Sequence, residues 1–236
     1  FVGWQGSFWM LAMTGLILTY FVNTEIQETH SPEHVFTFKD ALAGYATLLC
    51  TARFLSSALT TAFQTAVFFA MMGFIGYSFE RMEISAKEFG VWMATTSVGY
   101  ILGNLANKRL LKHYRIDLIT SVGAAASLAS LIIMEIWHIN SPSSPIGLAV
   151  PMIFVGLSNG VIIANSIIVA SSAIPRLRGS ATGLVGAMQM GAGGVSGTIA
   201  IWLGADQNTS VGIITLIVIS FFSLISAWWS TRLQRI

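Results

Sequence analysis

Long apolar stretches separated by short polar turns dominate the chain. Seven of them, at residues 4–22, 55–78, 89–107, 118–137, 146–171, 180–203 and 210–230, reach the roughly 20 residues that a helix needs to cross a bilayer core. Backbone polar groups in lipid must be satisfied within the segment, so the pattern predicts α-helices. The sixth, rich in glycine, reads as the least hydrophobic. Only the first connection is long. Its opening half, with Glu25, Glu28, His30, Pro32, Glu33 and His34, reads as polar linker, and Pro32 argues against a helical metal pair at His30 and His34. Thr37 and Asp40 then form a capping pattern ahead of Phe38, Leu42, Tyr45 and Leu49. Their helical spacing predicts a short amphipathic helix on the membrane surface. The expected fold is an all-α membrane protein of about seven transmembrane helices. It divides into a first helix at 1–22, a linker with its surface helix at 23–54, and a six-helix bundle at 55–236.

Charge gives this pattern a direction. Ten of the twelve basic residues fall in alternate connections, after spans one, three, five and seven, whereas the other side holds only Arg81 and Lys87. The positive-inside rule then places the basic side in the cytoplasm and the first residues outside. Trp4, Trp92, Trp137 and Trp202 fall at expected outer ends, and Trp228 and Trp229 at the last inner end, where indoles prefer the interface. Charged residues make up 9% of the 236 positions against about 25% in soluble domains. A net charge of +2 offers no case for nucleic acid, and one cysteine, Cys50, excludes an internal disulfide.

Chemistry inside the spans is sparse. No nucleophile–base cluster, paired carboxylates or metal spacing appears, so an enzyme and a metal or cofactor are not expected. Glu135, one turn before His138, lies near an outer end, and Asp117 suits an N-cap at the start of span four. Uncharged polar groups sit mid-span instead: Gln64, Asn104, Asn159, Asn165 and Gln189. Each either bonds between helices or faces a watery cavity. Span two adds Phe63, Phe68, Phe69, Met71, Met72, Phe74 and Tyr77, a set suited to core packing or to varied apolar ligands. Glycine pairs at 99/103, 156/160, 179/183 and 193/197 permit close helix approach, and Gly191, Gly193 and Gly194 mark span six as a place to slide or bend.

Several local patterns together resemble the bicyclomycin/chloramphenicol-resistance branch of the drug:proton antiporters, within the major facilitator superfamily. They are Gly3-Trp4-x-x-x-Phe8-Trp9, Glu28-Thr29-His30, the stretch from Phe38 to Tyr45 with Arg53-Phe54, Gly99-Tyr-Ile-Leu-Gly103 with Asn107-Lys-Arg-Leu110, Asn159-Gly160 with Asn165, and Gly179-Ser-Ala-Thr-Gly183. The chain departs from that pattern at Gln5 and Ala164, where the family carries Arg and Pro. The resemblance implies that the seven spans correspond to helices six to twelve of a twelve-helix exporter in the cell's inner or plasma membrane, whose other partner is an N-terminal helix bundle. It also implies a small hydrophobic or amphiphilic substrate contacted by Gln64, Phe68, Asn159 and Asn165, because helices seven and ten line the family's central cavity. Proton coupling is assigned by the resemblance to the N-terminal half, with Glu135 the one local candidate. A sugar or metabolite facilitator, or a membrane scaffold using the surface helix, are the rival expectations.

Overall fold

Each predicted apolar stretch is an α-helix in the computed structural model, which describes residues 4–25 and 38–233. The order is α1 (Trp4–Glu25), α2 (Phe38–Cys50), α3 (Ala52–Arg81), α4 (Ala86–Leu110), α5 (Ile116–Asn140), α6 (Pro145–Ser171), α7 (Arg178–Trp202) and α8 (Thr209–Leu233). A 3₁₀ turn at Pro175–Leu177 leads into α7. Two units result. The first, Phe1–Phe38, contains α1, an apolar helix with no buried residue among those described. The second, Lys39–Ile236, contains the rest. Of the predicted linker, Asn23, Thr24 and Glu25 extend α1, and residues 26–37 lie outside the described residues.

Among the described residues, six helices are long and apolar enough to cross a membrane: α1, α3, α5, α6, α7 and α8. The exception corrects the sequence reading. The least apolar long helix is α4, not α7, because Thr95, Thr96, Ser97, Asn104 and Asn107 interrupt it. Local signals explain where the helices begin. Ser85 and Glu88 form a reciprocal capping box for α4, which satisfies two orphan amides at once. Ser144 caps α6 with Pro145 at its first position, where the missing N–H costs nothing. Asp117, expected as the cap of α5, is not. Arg115 occupies that position, and the buried Asp117 carboxylate sits inside the first turn, accepting from the Arg115 guanidinium at 3.2 Å through both oxygens.

In α2 the apolar stripe turns away from the bundle. Leu42, Tyr45 and Leu49 are exposed, whereas Gly44 and Leu48 are buried. Leu48 joins Phe54, Ala58, Ala170, Ala181 and Val185 in one apolar cluster, and a Cβ on Gly44 would sit 3.4 Å from Leu177. The exposed stripe suits a membrane surface. Cys50 ends this helix and is exposed. If the basic side is cytoplasmic, a membrane-impermeant maleimide should label Cys50 only after cells are permeabilised. Rapid labelling in intact cells would reverse the orientation.

The bundle is built around α3 and α6, which pack against most of the others. Lipid tails are as apolar as leucine, so helices here associate through close packing and hydrogen bonds. The seam between α4 and α6 is the tightest. A Cβ on Gly99 or Gly103 would overlap the carbonyl oxygens of Ile153 or Leu157, and one on Gly156 or Gly160 would overlap those of Thr96 or Tyr100. The glycines therefore meet backbone on both sides, a geometry that also permits Cα–H···O contacts. Elsewhere Gly212 of α8 makes the slot for the fully buried Phe74. Gly179, Gly183, Gly186, Gly191 and Gly194 of α7 have open space in front of them.

Among the described residues three apolar clusters fill the bundle. The largest surrounds Phe74, Ile75, Met134, Met152 and Ile213 toward the Arg81 end. A second lies at the α2 end, and a small third joins Ala124, Ile162 and Ala227. Polar side chains are concentrated between and around them.

Candidate functional site

Gln64 is the centre of that polar layer. It lies near the middle of α3 and is fully buried. Its Nε2 donates to Ser127 Oγ of α5 at 2.8 Å and to Asn159 Oδ1 of α6 at 2.6 Å. One amide thus ties three helices together at mid-depth. Its Oε1 is buried with no hydrogen-bond partner, a condition that costs free energy in an apolar interior. One turn along, Gln189 of α7 donates to Thr61 and Thr65 of α3, each at 3.0 Å.

Beside this layer lies a cavity of about 290 Å³ between α3, α4 and α6. Phe68 and Tyr100 supply aromatic walls, and Thr65, Thr96, Ser97 and Asn159 supply the polar positions. No carboxylate, basic or imidazole side chain is among its lining residues. Asn159 Oδ1 is engaged by Gln64, which leaves the Asn159 amide nitrogen to serve the cavity. Thr96 Oγ1 is buried without a partner. Such a site offers broad apolar contact with few orienting groups, as small-molecule pockets do, near the lower end of their usual size.

The structure brings three of the four predicted substrate residues together. Phe68 and Asn159 line the cavity, and Gln64 stands behind it through Asn159. Asn165 is elsewhere. It exchanges two hydrogen bonds of 2.9 Å with Asn107 of α4, a closed amide pair farther along the α4–α6 seam. The contribution of α4 was missed by sequence reasoning. Thr96, Ser97 and Tyr100 flank the glycine pair 99/103, and polar residues beside such a pair are the signal that the helix borders a cavity.

Glu135 lies far from this cavity, toward the Arg81 end. Its Oε2 and the Nδ1 of His138 are both buried and unpartnered. Arg81 is held by Ser78, Thr209 and the Asp206 carbonyl, linking α3 to the start of α8. Among the described residues, no group of three or more His, Cys, Asp or Glu side chains gathers in a metal-binding arrangement.

Residues 1–198 match the family model described as Major Facilitator Superfamily. No curated protein matches the chain.

Proposed function

The chain belongs to the major facilitator superfamily of multi-pass membrane transporters, and on that premise we propose that it serves a proton-coupled exporter of small hydrophobic or amphiphilic compounds. The observation that carries this reading is the uncharged cavity at mid-depth, with Phe68 and Tyr100 as walls and a single available amide at Asn159. Apolar walls accept many shapes, and one or two polar groups orient what enters. Thr65 and Asn159 already spend hydrogen bonds on Gln189 and Gln64, which leaves fewer partners around the cavity than a polyhydroxyl sugar would need.

In this reading transport proceeds by alternating access, one helix bundle rocking against another around a midplane site. Helices α3 to α8 form one bundle, and α1 belongs to its N-terminal partner. The cavity itself offers no carboxylate, so the coupling proton is carried by acidic groups of the partner bundle. The transporter sits in the cell's inner or plasma membrane with the basic connections in the cytoplasm.

The test is a resistance panel of neutral and cationic amphiphiles in cells expressing the protein. Phe68→Ala and Tyr100→Ala should change the relative resistance among compounds by several-fold while protein abundance stays constant. Equal loss toward every compound, or loss that only tracks abundance, would reject the cavity as the substrate site. Unchanged resistance together with uptake of a labelled sugar would replace the exporter with a facilitator.

A further inference from the structure

Helices α4 and α5 are joined by a turn at residues 111–115, yet both pack chiefly on α6 rather than along each other. They diverge over their shared neighbour and leave a cleft of about 300 Å³. Leu157 and Val161 of α6 form its floor, Val122 and Ala126 of α5 a wall, and Leu110 and Tyr114 its mouth. The lining is apolar almost throughout and opens on the lipid-facing side, where Val122 and Tyr114 are well exposed.

The mouth is basic. Lys108, Arg109, Lys112 and Arg115 fall within eight residues, and no acidic residue occurs from Phe89 to Ile116. Asp117 neutralises Arg115. Lys108, Arg109 and Lys112 instead gather around a shallow hollow on the outside of α4, in the same terminal stretch of chain as Leu110 and Tyr114 of the cleft mouth. An apolar slot whose mouth shares that stretch with three cations matches one ligand shape, a hydrocarbon chain with an anionic head. Basic clusters at helix ends recognise anionic lipid headgroups in this way, and an exposed tyrosine at the rim suits the interface.

We propose that the α4–α5 cleft is a binding site for an anionic phospholipid. One acyl chain occupies the cleft, and the phosphate is held by Lys108, Arg109 and Lys112. The chain fills space that no helix covers, and so braces α5 against α4. Selectivity resides in the head, because any phospholipid can supply the tail.

The full chain, purified in detergent and stripped of lipid, provides the test. It is mixed with phosphatidylglycerol or phosphatidylethanolamine, and retained lipid is read by native mass spectrometry and stability by the thermal midpoint. Phosphatidylglycerol should be retained about tenfold better and should raise the midpoint more. The exposed triple variant Lys108→Gln, Arg109→Gln, Lys112→Gln should lose that preference while melting like the parent without lipid. Ala126→Phe, which fills the cleft, should reduce retention of both lipids. Glycerol phosphate alone should do nothing. Equal retention of the two lipids by the parent would overturn the proposal, as would an unchanged preference in the triple variant. If glycerol phosphate reproduces the whole effect, the site takes a free anion and the acyl chain has no part in it. Should Ala126→Phe fail to fold, the triple variant still decides.

Discussion

Gly103→Ala is expected to cost the bundle about 3 kcal/mol, near the upper range for overpacked cores, and Gly103→Leu to prevent accumulation of folded protein. The added Cβ would overlap the Leu157 carbonyl oxygen, with the Leu157 carbonyl carbon and Cα only 2.9 and 3.0 Å away. Both obstacles are backbone and cannot rotate aside. Along α4 the buried positions Thr96, Gly99, Gly103 and Asn107 form one stripe against α6. Pushing the helices apart at Gly103 therefore also strains the Asn107–Asn165 pair and the cavity edge at Thr96. Gly183→Ala is the control. It sits in α7 with nothing within 4 Å of the new Cβ, and alanine favours a helix over glycine, so its midpoint should match or slightly exceed the parent's. Tryptophan fluorescence of the detergent-purified variants measures both. A Gly103→Ala protein as stable as Gly183→Ala would mean that α4 and α6 do not meet at this glycine.

The second large effect separates stability from transport. Asn159→Leu removes the acceptor that Gln64 holds at 2.6 Å and leaves one N–H of that buried amide unmet beside its orphan Oε1, while the other N–H still donates to Ser127. Buried unsatisfied groups cost about 1–3 kcal/mol, whereas interhelical hydrogen bonds in membranes average nearer 0.6 kcal/mol, so a loss of about 1–2 kcal/mol is expected. Transport should fall about tenfold or more, since the cavity loses its one available amide. The double variant Gln64→Leu, Asn159→Leu replaces both partners by apolar groups and should regain most of the stability. Transport should stay low. If transport returns with stability, the Gln64–Asn159 bond is a packing device and the cavity does not depend on it.

The positions of the helices were legible because a bilayer imposes a length and a composition that few other structures require. All seven predicted spans are helices, each within a few residues of its expected ends. Partners were less legible. The pairs 99/103 and 156/160 announced close approach, but spacing on one helix says nothing about which helix fills the groove. That they face each other emerged only from the packing. Asn107 was read with the basic turn that follows it, so its exchange with Asn165 went unseen. Within the candidate site Gln64, Phe68 and Asn159 stood out as amides and an aromatic in apolar runs. Thr96 and Ser97 did not, because hydroxyls in a span usually return their hydrogen bond to their own helix, as Thr120 and Ser130 do. Asp117 shows the same limit. A carboxylate near a helix start suggests a cap, and the neighbouring Arg115 captured it instead.

The sparse apolarity of α4 has a bearing on how the protein is made. Insertion into the bilayer is decided segment by segment as the chain leaves the ribosome, and a helix with several hydroxyls and two asparagines gains little by entering lipid alone. The helix that completes α4 is α6, whose end at Ser171 follows Leu110 by about 60 residues. At roughly 5–20 residues per second, α4 waits about 3–12 seconds before its glycine-lined partner has been synthesised. During that interval it is held at the membrane by its flanking charges and by α5, the strongly apolar segment that follows. Its topology is therefore expected to be settled only when α6 arrives, and changing the speed of synthesis through residues 111–171 should change the fraction of protein assembled correctly.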